Sequence, residues 1–129
     1  MSSWGFVYCM SNDSMPGLFK IGYTTKTPQT RADELSAASG VPEPFEVLFY
    51  VETRKPVLVE AMVHEALYEY RSNPNREFFR VCDELISRTM QECSDGNGVM
   101  MESHCYQGIV MERRFLAEKA AASLESQGS

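Results

Sequence analysis

Two short runs of aromatic and β-branched residues, Gly5-Phe6-Val7-Tyr8 and Leu18-Phe19-Lys20-Ile21-Gly22-Tyr23, flank the polar connector Ser11-Asn12-Asp13-Ser14-Met15-Pro16-Gly17. Strand formers on either side of a run of turn formers predict a β-hairpin. A helix follows: Thr27 is a good N-cap, Pro28 suits the first helical position and Gly40 a stop, so the spacing predicts a helix from about Pro28 to Ser39 with a modest apolar stripe of Ala32, Leu35 and Ala38. The two prolines of Val41-Pro42-Glu43-Pro44 make an extended connector. Phe45 to Glu52 then alternates Phe45, Val47, Phe49 and Val51 with Glu46, Leu48, Tyr50 and Glu52, which predicts a third strand with one continuously apolar face.

Thr53-Arg54-Lys55-Pro56 closes that strand and opens a second helix to about Tyr70, whose broad stripe on 3.6-residue spacing is Val57, Glu60, Ala61, His64, Leu67, Tyr68 and Arg71. Ser72-Asn73-Pro74-Asn75 reads as a turn. From Val81 to Glu92 the spacing of Val81, Leu85, Ile86 and Met90 predicts an amphipathic helix over the open sheet face. Cys93 to Gly98 is a loop or hinge, and Tyr106 to about Leu124 reads as a helix with Ile109, Val110, Phe115, Leu116 and Ala120 spaced for a partner. The last few residues are expected to be disordered. The expected fold is α+β: a small, mainly antiparallel three-stranded sheet flanked by helices over residues 1–92, with a C-terminal helical extension over 93–129 through which a second copy or a protein partner can bind.

A chain of 129 residues accommodates one compact domain with a real core. Its 43% apolar and 23% charged residues are those of a soluble globular protein, and no apolar run approaches the ~20 residues of a membrane span. The start Met1-Ser2-Ser3-Trp4 has no basic region ahead of an apolar run, so a cytoplasmic location is expected. Cys9, Cys82, Cys93 and Cys105 form no C-x-x-C pair, which argues against a disulfide framework or a thiolate zinc site. The net charge of −6 is awkward for a nucleic-acid enzyme, but residues 1–40 are neutral and the acidity gathers behind them. That leaves a neutral-to-basic face around Lys20, Lys26, Arg31, Arg71, Arg76 and Arg80, on which nucleic-acid binding would be weak and salt-sensitive.

Chemistry enters with particular side chains. A hairpin can bring the Tyr8 phenol and the Lys20 ammonium to one face, where the first moves a proton and the second neutralises a phosphate oxygen; the plainer alternative is ordinary strand composition. Arg31 sits in the first turn of its helix, against the macrodipole by ~0.3 to 1 kcal/mol, either as a solvated surface arginine or as an anion ligand. Glu60 and His64 lie i, i+4: a half-buried histidine held by a carboxylate, or a general base that orients water. His64-Glu65 is no zinc-protease motif, because position 68 is tyrosine. Glu102, His104 and Cys105 make a poor metal motif, and Met100, Met101 and Met111 read as packing residues. Glu77 is either a surface glutamate paired with Arg76 or Arg80, or a functional carboxylate.

Gly5-Phe6-Val7-Tyr8, Lys20-Ile21-Gly22 and the helix arginine Arg31 together resemble the GIY-YIG nuclease superfamily. Met10-Ser11-Asn12, Met15-Pro16-Gly17, Gly40-Val41-Pro42 and Asn75-Arg76-Glu77-Phe78-Phe79 are similar to its phage-type branch, and the likeness covers roughly residues 4 to 80. The resemblance implies a metal-dependent endonuclease acting on nucleic acid, DNA ahead of RNA. It implies catalytic roles for Tyr8, Lys20, Arg31, His64 and Glu77, and substrate contacts from Tyr23, Lys26 and Arg76. Glu77 is the implied ligand for Mg²⁺ or Mn²⁺, with Glu65 and Glu60 in reserve. Two departures stand out: Lys20 replaces the second tyrosine of the superfamily name, and Tyr23 stands where many relatives carry lysine. The competing expectation is an inactive scaffold that serves as a binding adaptor or inhibitor.

Overall fold

The computed structural model describes residues 4–38, 40, 43–73, 77–94 and 100–127. β1 (Gly5–Asn12) and β2 (Phe19–Thr24) form the expected antiparallel hairpin, with Tyr8 opposite Gly22 and Met10 opposite Lys20. Ser11 and Asn12, read from sequence as turn residues, belong to the strand, because β3 (Phe45–Thr53) pairs along the other edge of β1 as far as Asn12 opposite Phe45. The reversal itself begins after Asn12. Its side-chain Oδ1 accepts the Ser14 N–H at 2.9 Å, its carbonyl accepts the Met15 N–H at 2.9 Å, and Gly17 takes a φ of 81° in the region open to glycine. α1 (Pro28–Ala38) begins where the capping signal placed it, with the Thr30 N–H donated to Thr27 Oγ1 at 3.2 Å, and Gly40 takes a φ of 68° beyond its end.

The sheet has five antiparallel strands in the order β4-β2-β1-β3-β5. Its centre is the expected trio; the additions are the edge strands β4 (Phe78–Phe79) and β5 (Met100–Glu102), too short to carry a readable alternation. Such short edges also limit pairing with other chains.

The apolar face expected for the third strand is split. Cys9 pairs with Phe49 but Met10 with Val47, so Leu48 is an extra residue, and this bulge reverses which way the pleat points. Phe45 and Val47 therefore join Tyr8, Met10 and Ala32 in a small core beneath α1. Phe49 and Val51 join Val7, Cys9 and Ile21 in the larger core on the opposite face.

That larger core is closed by α2 (Pro56–Ala66), the 3₁₀ turn Tyr68–Tyr70, α3 (Asp83–Cys93) and α4 (His104–Gln127). α2 presents Pro56, Val59 and Val63, followed by Leu67, with Glu60 and His64 half-buried beside them. Val57, Ala61 and Tyr68, expected on the inward stripe, are exposed. Apolar residues run almost all the way round this helix, so spacing alone left its inward side open. Its entry fixes it: a Cβ on Gly5 would lie 2.9 Å from Pro56 Cγ, so strand and helix meet there without a side chain between them.

The expected extension is tied to the body. β5 pairs with β3, and Ile109 and Val110 pack on the main core. Asp83, buried at the start of α3, accepts from Tyr106 Oη at 2.6 Å and from both terminal nitrogens of Arg113 at 2.9 Å. Beyond this clasp Phe115, Leu116 and Leu124 are exposed. Among the described residues no helix is long and apolar enough to cross a membrane. Asp83→Ala leaves the Tyr106 hydroxyl and the Arg113 guanidinium without their acceptor and should cost about 3 kcal/mol. Glu84→Ala, whose carboxylate is 72% exposed and 3.8 Å from Arg113, should cost under about 0.5 kcal/mol. Thermal melts of the two variants check the contrast.

Candidate functional site

The site grows from an incomplete sheet edge. β4 pairs with β2 only at Phe19 and Lys20, which would leave the outer edge of β2 bare from Ile21 onward. Unpaired backbone groups at a buried edge are costly, so other groups must cover them. The Ile21 N–H donates to the Glu77 carbonyl at 3.0 Å, and the Ile21 carbonyl accepts from His64 Nε2 at 2.8 Å. The Tyr23 N–H is donated to the Glu60 carboxylate. A carbonyl can only accept, so this geometry puts the imidazole proton on Nε2. Burial lowers the His64 pKa, and the ring packs edge-on against Phe79 at 5.0 Å.

On the α1 face of the same strand pair, the Tyr8 ring stands over Gly22. A Cβ at that glycine would lie 2.5 Å from Tyr8 Oη and 3.1 Å from Glu77 Oε2, so the missing side chain is what lets phenol and carboxylate approach. Lys20 Nζ, on the same pleat as Gly22, bonds Glu77 Oε2 at 3.0 Å and sits 5.3 Å from the centre of the Phe78 ring. From α1, Arg31 hydrogen-bonds the Tyr8 oxygen and reaches Glu34 Oε2 at 3.3 Å. Glu34 also holds Lys26 at 2.5 Å. Together Tyr8, Tyr23, Thr24, Thr25, Lys26, Arg31, Glu34, Glu60 and Glu77 line a polar, solvent-open pocket of about 430 Å³.

The electrostatics follow from burial and crowding. Burial pushes the Tyr8 phenol up to about 12, Arg31 opposing the rise and Glu77 adding to it. Burial, with Glu77 nearby, pushes the Glu60 carboxyl up to about 7 against the pull of Lys20. Glu34, partly exposed, is held below its ordinary value by Lys26 and then Arg31. Glu60 Oε2 is buried and has no hydrogen-bond partner among the described residues. A carboxyl with a raised folded pKa is protonated more readily in the folded chain than in the unfolded one. Its ionisation therefore lowers stability as pH climbs from the ordinary glutamate value to about 7. Glu60→Gln, isosteric and neutral, should accordingly raise the melting temperature much more at pH 8 than at pH 5 in metal-free buffer; equal shifts at both pH values would show that Glu60 is not the titrating group.

Four of the expected site residues meet here: Tyr8, Lys20, Arg31 and Glu77, with Lys26 at the rim. Tyr23 faces Val7 across the hairpin, which places its side chain on the pleat opposite Tyr8 and Lys20; its backbone amide is what serves Glu60. The His64 ring engages Ile21 and Phe79 and does not line the pocket, so the geometry gives it support of the strand edge in place of contact with Tyr8. Arg76 lies outside the described residues. Of the two reserve carboxylates, Glu60 lines the pocket and the exposed Glu65 does not. Glu34 was not singled out in the sequence, although its i+3 spacing from Arg31 on a predicted helix was a usable signal.

The antiparallel α+β domain thus gathers the Tyr8 phenol, three cations (Lys20, Lys26, Arg31) and three carboxylates (Glu34, Glu60, Glu77) around an open pocket. The chain belongs to the T5orf172 domain family, whose profile matches residues 5–95, from the first strand through α3. Neither the comparison with curated proteins nor that with solved structures finds a match.

Proposed function

We propose that this chain hydrolyses phosphodiester bonds in nucleic acid, DNA ahead of RNA, as an endonuclease domain of the GIY-YIG type that uses Mg²⁺ or Mn²⁺. The observation that carries the reading is the meeting over Gly22 of Tyr8 Oη and Glu77 Oε2, with Lys20 on the carboxylate and Arg31 on the phenol. Four separate segments supply these groups, and packing a core requires none of them to be polar.

The donors fit a hard cation that keeps much of its shell as water and phosphate oxygen. Glu77 would hold it, and Glu60, with a buried oxygen left without a partner, is the second carboxylate facing the pocket. Among the described residues no three His, Cys, Asp or Glu side chains form a cage of their own. When bound, such an ion supplies Lewis-acid polarisation of the scissile phosphate. Arg31 and Lys20 balance charge on the non-bridging oxygens. Tyr8 orients the attacking water and takes its proton. Its phenol titrates near 12, so the ionised fraction climbs with every unit of pH through the neutral and mildly alkaline range. His64 holds the Ile21 carbonyl and thereby keeps Gly22 under the phenol, which makes it a positioning residue.

Incubation of plasmid DNA with the protein and Mg²⁺ should give cleavage that accelerates from pH 7 to 9. Tyr8→Phe should slow it by about 10² to 10⁴ and flatten that rise, and Glu77→Ala should abolish it. Cleavage that survives both substitutions overturns the proposal. One observation favours the rival, a silent scaffold for binding: Lys20 already occupies Glu77 Oε2. That rival predicts no cleavage and no Glu77-dependent rise in melting temperature with Mn²⁺. One such site cuts one strand, so a duplex break takes two visits or two copies. The exposed Phe115, Leu116 and Leu124 of α4 are the surface we propose for self-association. Light scattering should then report a dimer for the intact chain and a monomer for Leu116→Glu.

A further inference from the structure

We propose that the apolar groove beside the pocket is a nucleobase subsite, taking the base next to the phosphate met by Arg31 and Lys20. The inference deepens the nuclease reading and rests on it. The groove, of about 550 Å³, is walled by Thr25, Pro56, Val57, Leu58 and Ala61, with Arg54 and Lys55 at its rim. Val57 and Leu58, in the first turn of α2, are 60% and 52% exposed, an unusual concentration of aliphatic surface on a helix that has a sheet edge to cover.

Two observations decide its occupant. Thr25 belongs to both cavities, so the groove begins where the phosphate pocket ends. The groove's own charge is of one sign: Arg54 and Lys55 line it and no carboxylate is among its lining residues, while Lys26, on the pocket side of Thr25, is paired with Glu34. In a chain with a net charge of −6, a basic-rimmed apolar wall that continues a phosphate pocket matches the alternation of anion and flat apolar base along a nucleic-acid strand. Surfaces that hold single strands combine these same two elements, a cationic track and platforms for the bases. Trp4 lies next to the rim: its ring is 38% exposed, and the guanidinium of the lining residue Arg54 lies over it at 5.1 Å. Contact through aliphatic walls and stacking makes the subsite tolerant of base identity.

The test uses the full chain carrying Glu77→Ala, so that substrate binds without being cut, and a fluorescein-labelled single-stranded oligonucleotide of about 12 nucleotides. Trp4 is the single tryptophan, so its emission reports on the rim of this groove. Binding should quench Trp4. The neutral pair Val57→Ser and Leu58→Ser should weaken the oligonucleotide about tenfold at an unchanged melting temperature. An oligonucleotide of abasic residues should bind about tenfold more weakly to the intact groove and be indifferent to the serine pair. Affinity unchanged by the serine pair, together with DNA cleavage by the unsubstituted chain, overturns the subsite and leaves the nuclease reading standing. A serine pair that turns a dimer into a monomer in light scattering, with oligonucleotide affinity unchanged, assigns the groove to a second copy and overturns the subsite. An oligonucleotide that neither binds the Glu77→Ala chain nor is cut by the unsubstituted one overturns both.

Discussion

The molecule depends on how the open edge of β2 is satisfied. Ile21 offers one backbone N–H and one carbonyl on that edge, with no strand beside it after Lys20. The N–H captures the Glu77 carbonyl and the carbonyl captures His64, so a single residue fixes the segment that carries the acidic group and the helix that carries Glu60. Neighbouring residues of the same strand supply the lysine, at 20, and the glycine that makes room, at 22. Loss of either hydrogen bond at Ile21 would free a buried polar group and loosen the placement of Glu77 by the same event. Stability and site geometry are therefore one constraint here.

The same economy explains the charge pattern. Every ionised group around the pocket has a counterpart: Lys20 with Glu77, Lys26 and Arg31 with Glu34. Glu60 is the exception, taking one backbone N–H and keeping its second oxygen buried without a donor among the described residues. A folded protein tolerates such a group by moving its proton affinity, which is why this carboxyl is raised to about 7. Strain of this kind marks a place where structure has been subordinated to something other than packing.

Much of this was legible in the residues. The hairpin, the capped start of α1, the proline start of α2 and the helix over the second core follow from local chemistry: turn formers between strand formers, Thr27-Pro28, Pro56, and Ile86 with Met90. Tyr8, Lys20, Arg31 and Glu77 could be named as candidates because each belongs to an element with a readable register or to a recognisable motif. What escaped was set by contacts distant in sequence. The β3 bulge arises from pairing with β1, so the alternation of Phe45 to Val51 looked unbroken although the pleat reverses at Leu48. The inward side of α2 is chosen by the approach of Pro56 to Gly5, some fifty residues away in the chain. For His64 the sequence left two readings, a half-buried histidine held by a carboxylate and a group that acts on water; its engagement with the Ile21 carbonyl is a consequence of an edge that no local pattern announces.

Charge balance carries the functional reading one step further. Around the pocket Lys20, Lys26 and Arg31 formally cancel Glu34, Glu60 and Glu77, so with every group ionised it offers no net attraction to a phosphodiester. In the proposed reaction the incoming anion makes the pocket negative, and the transition state, with more charge on its oxygens, makes it more so. Glu77 would hold a divalent cation whose charge would reverse that sign, and Lys20, released from Glu77, would have its ammonium free for the substrate. On the proposed reading, the ion pair that favours a silent scaffold when the chain is taken alone would thus serve as a reserve of positive charge already positioned at the site.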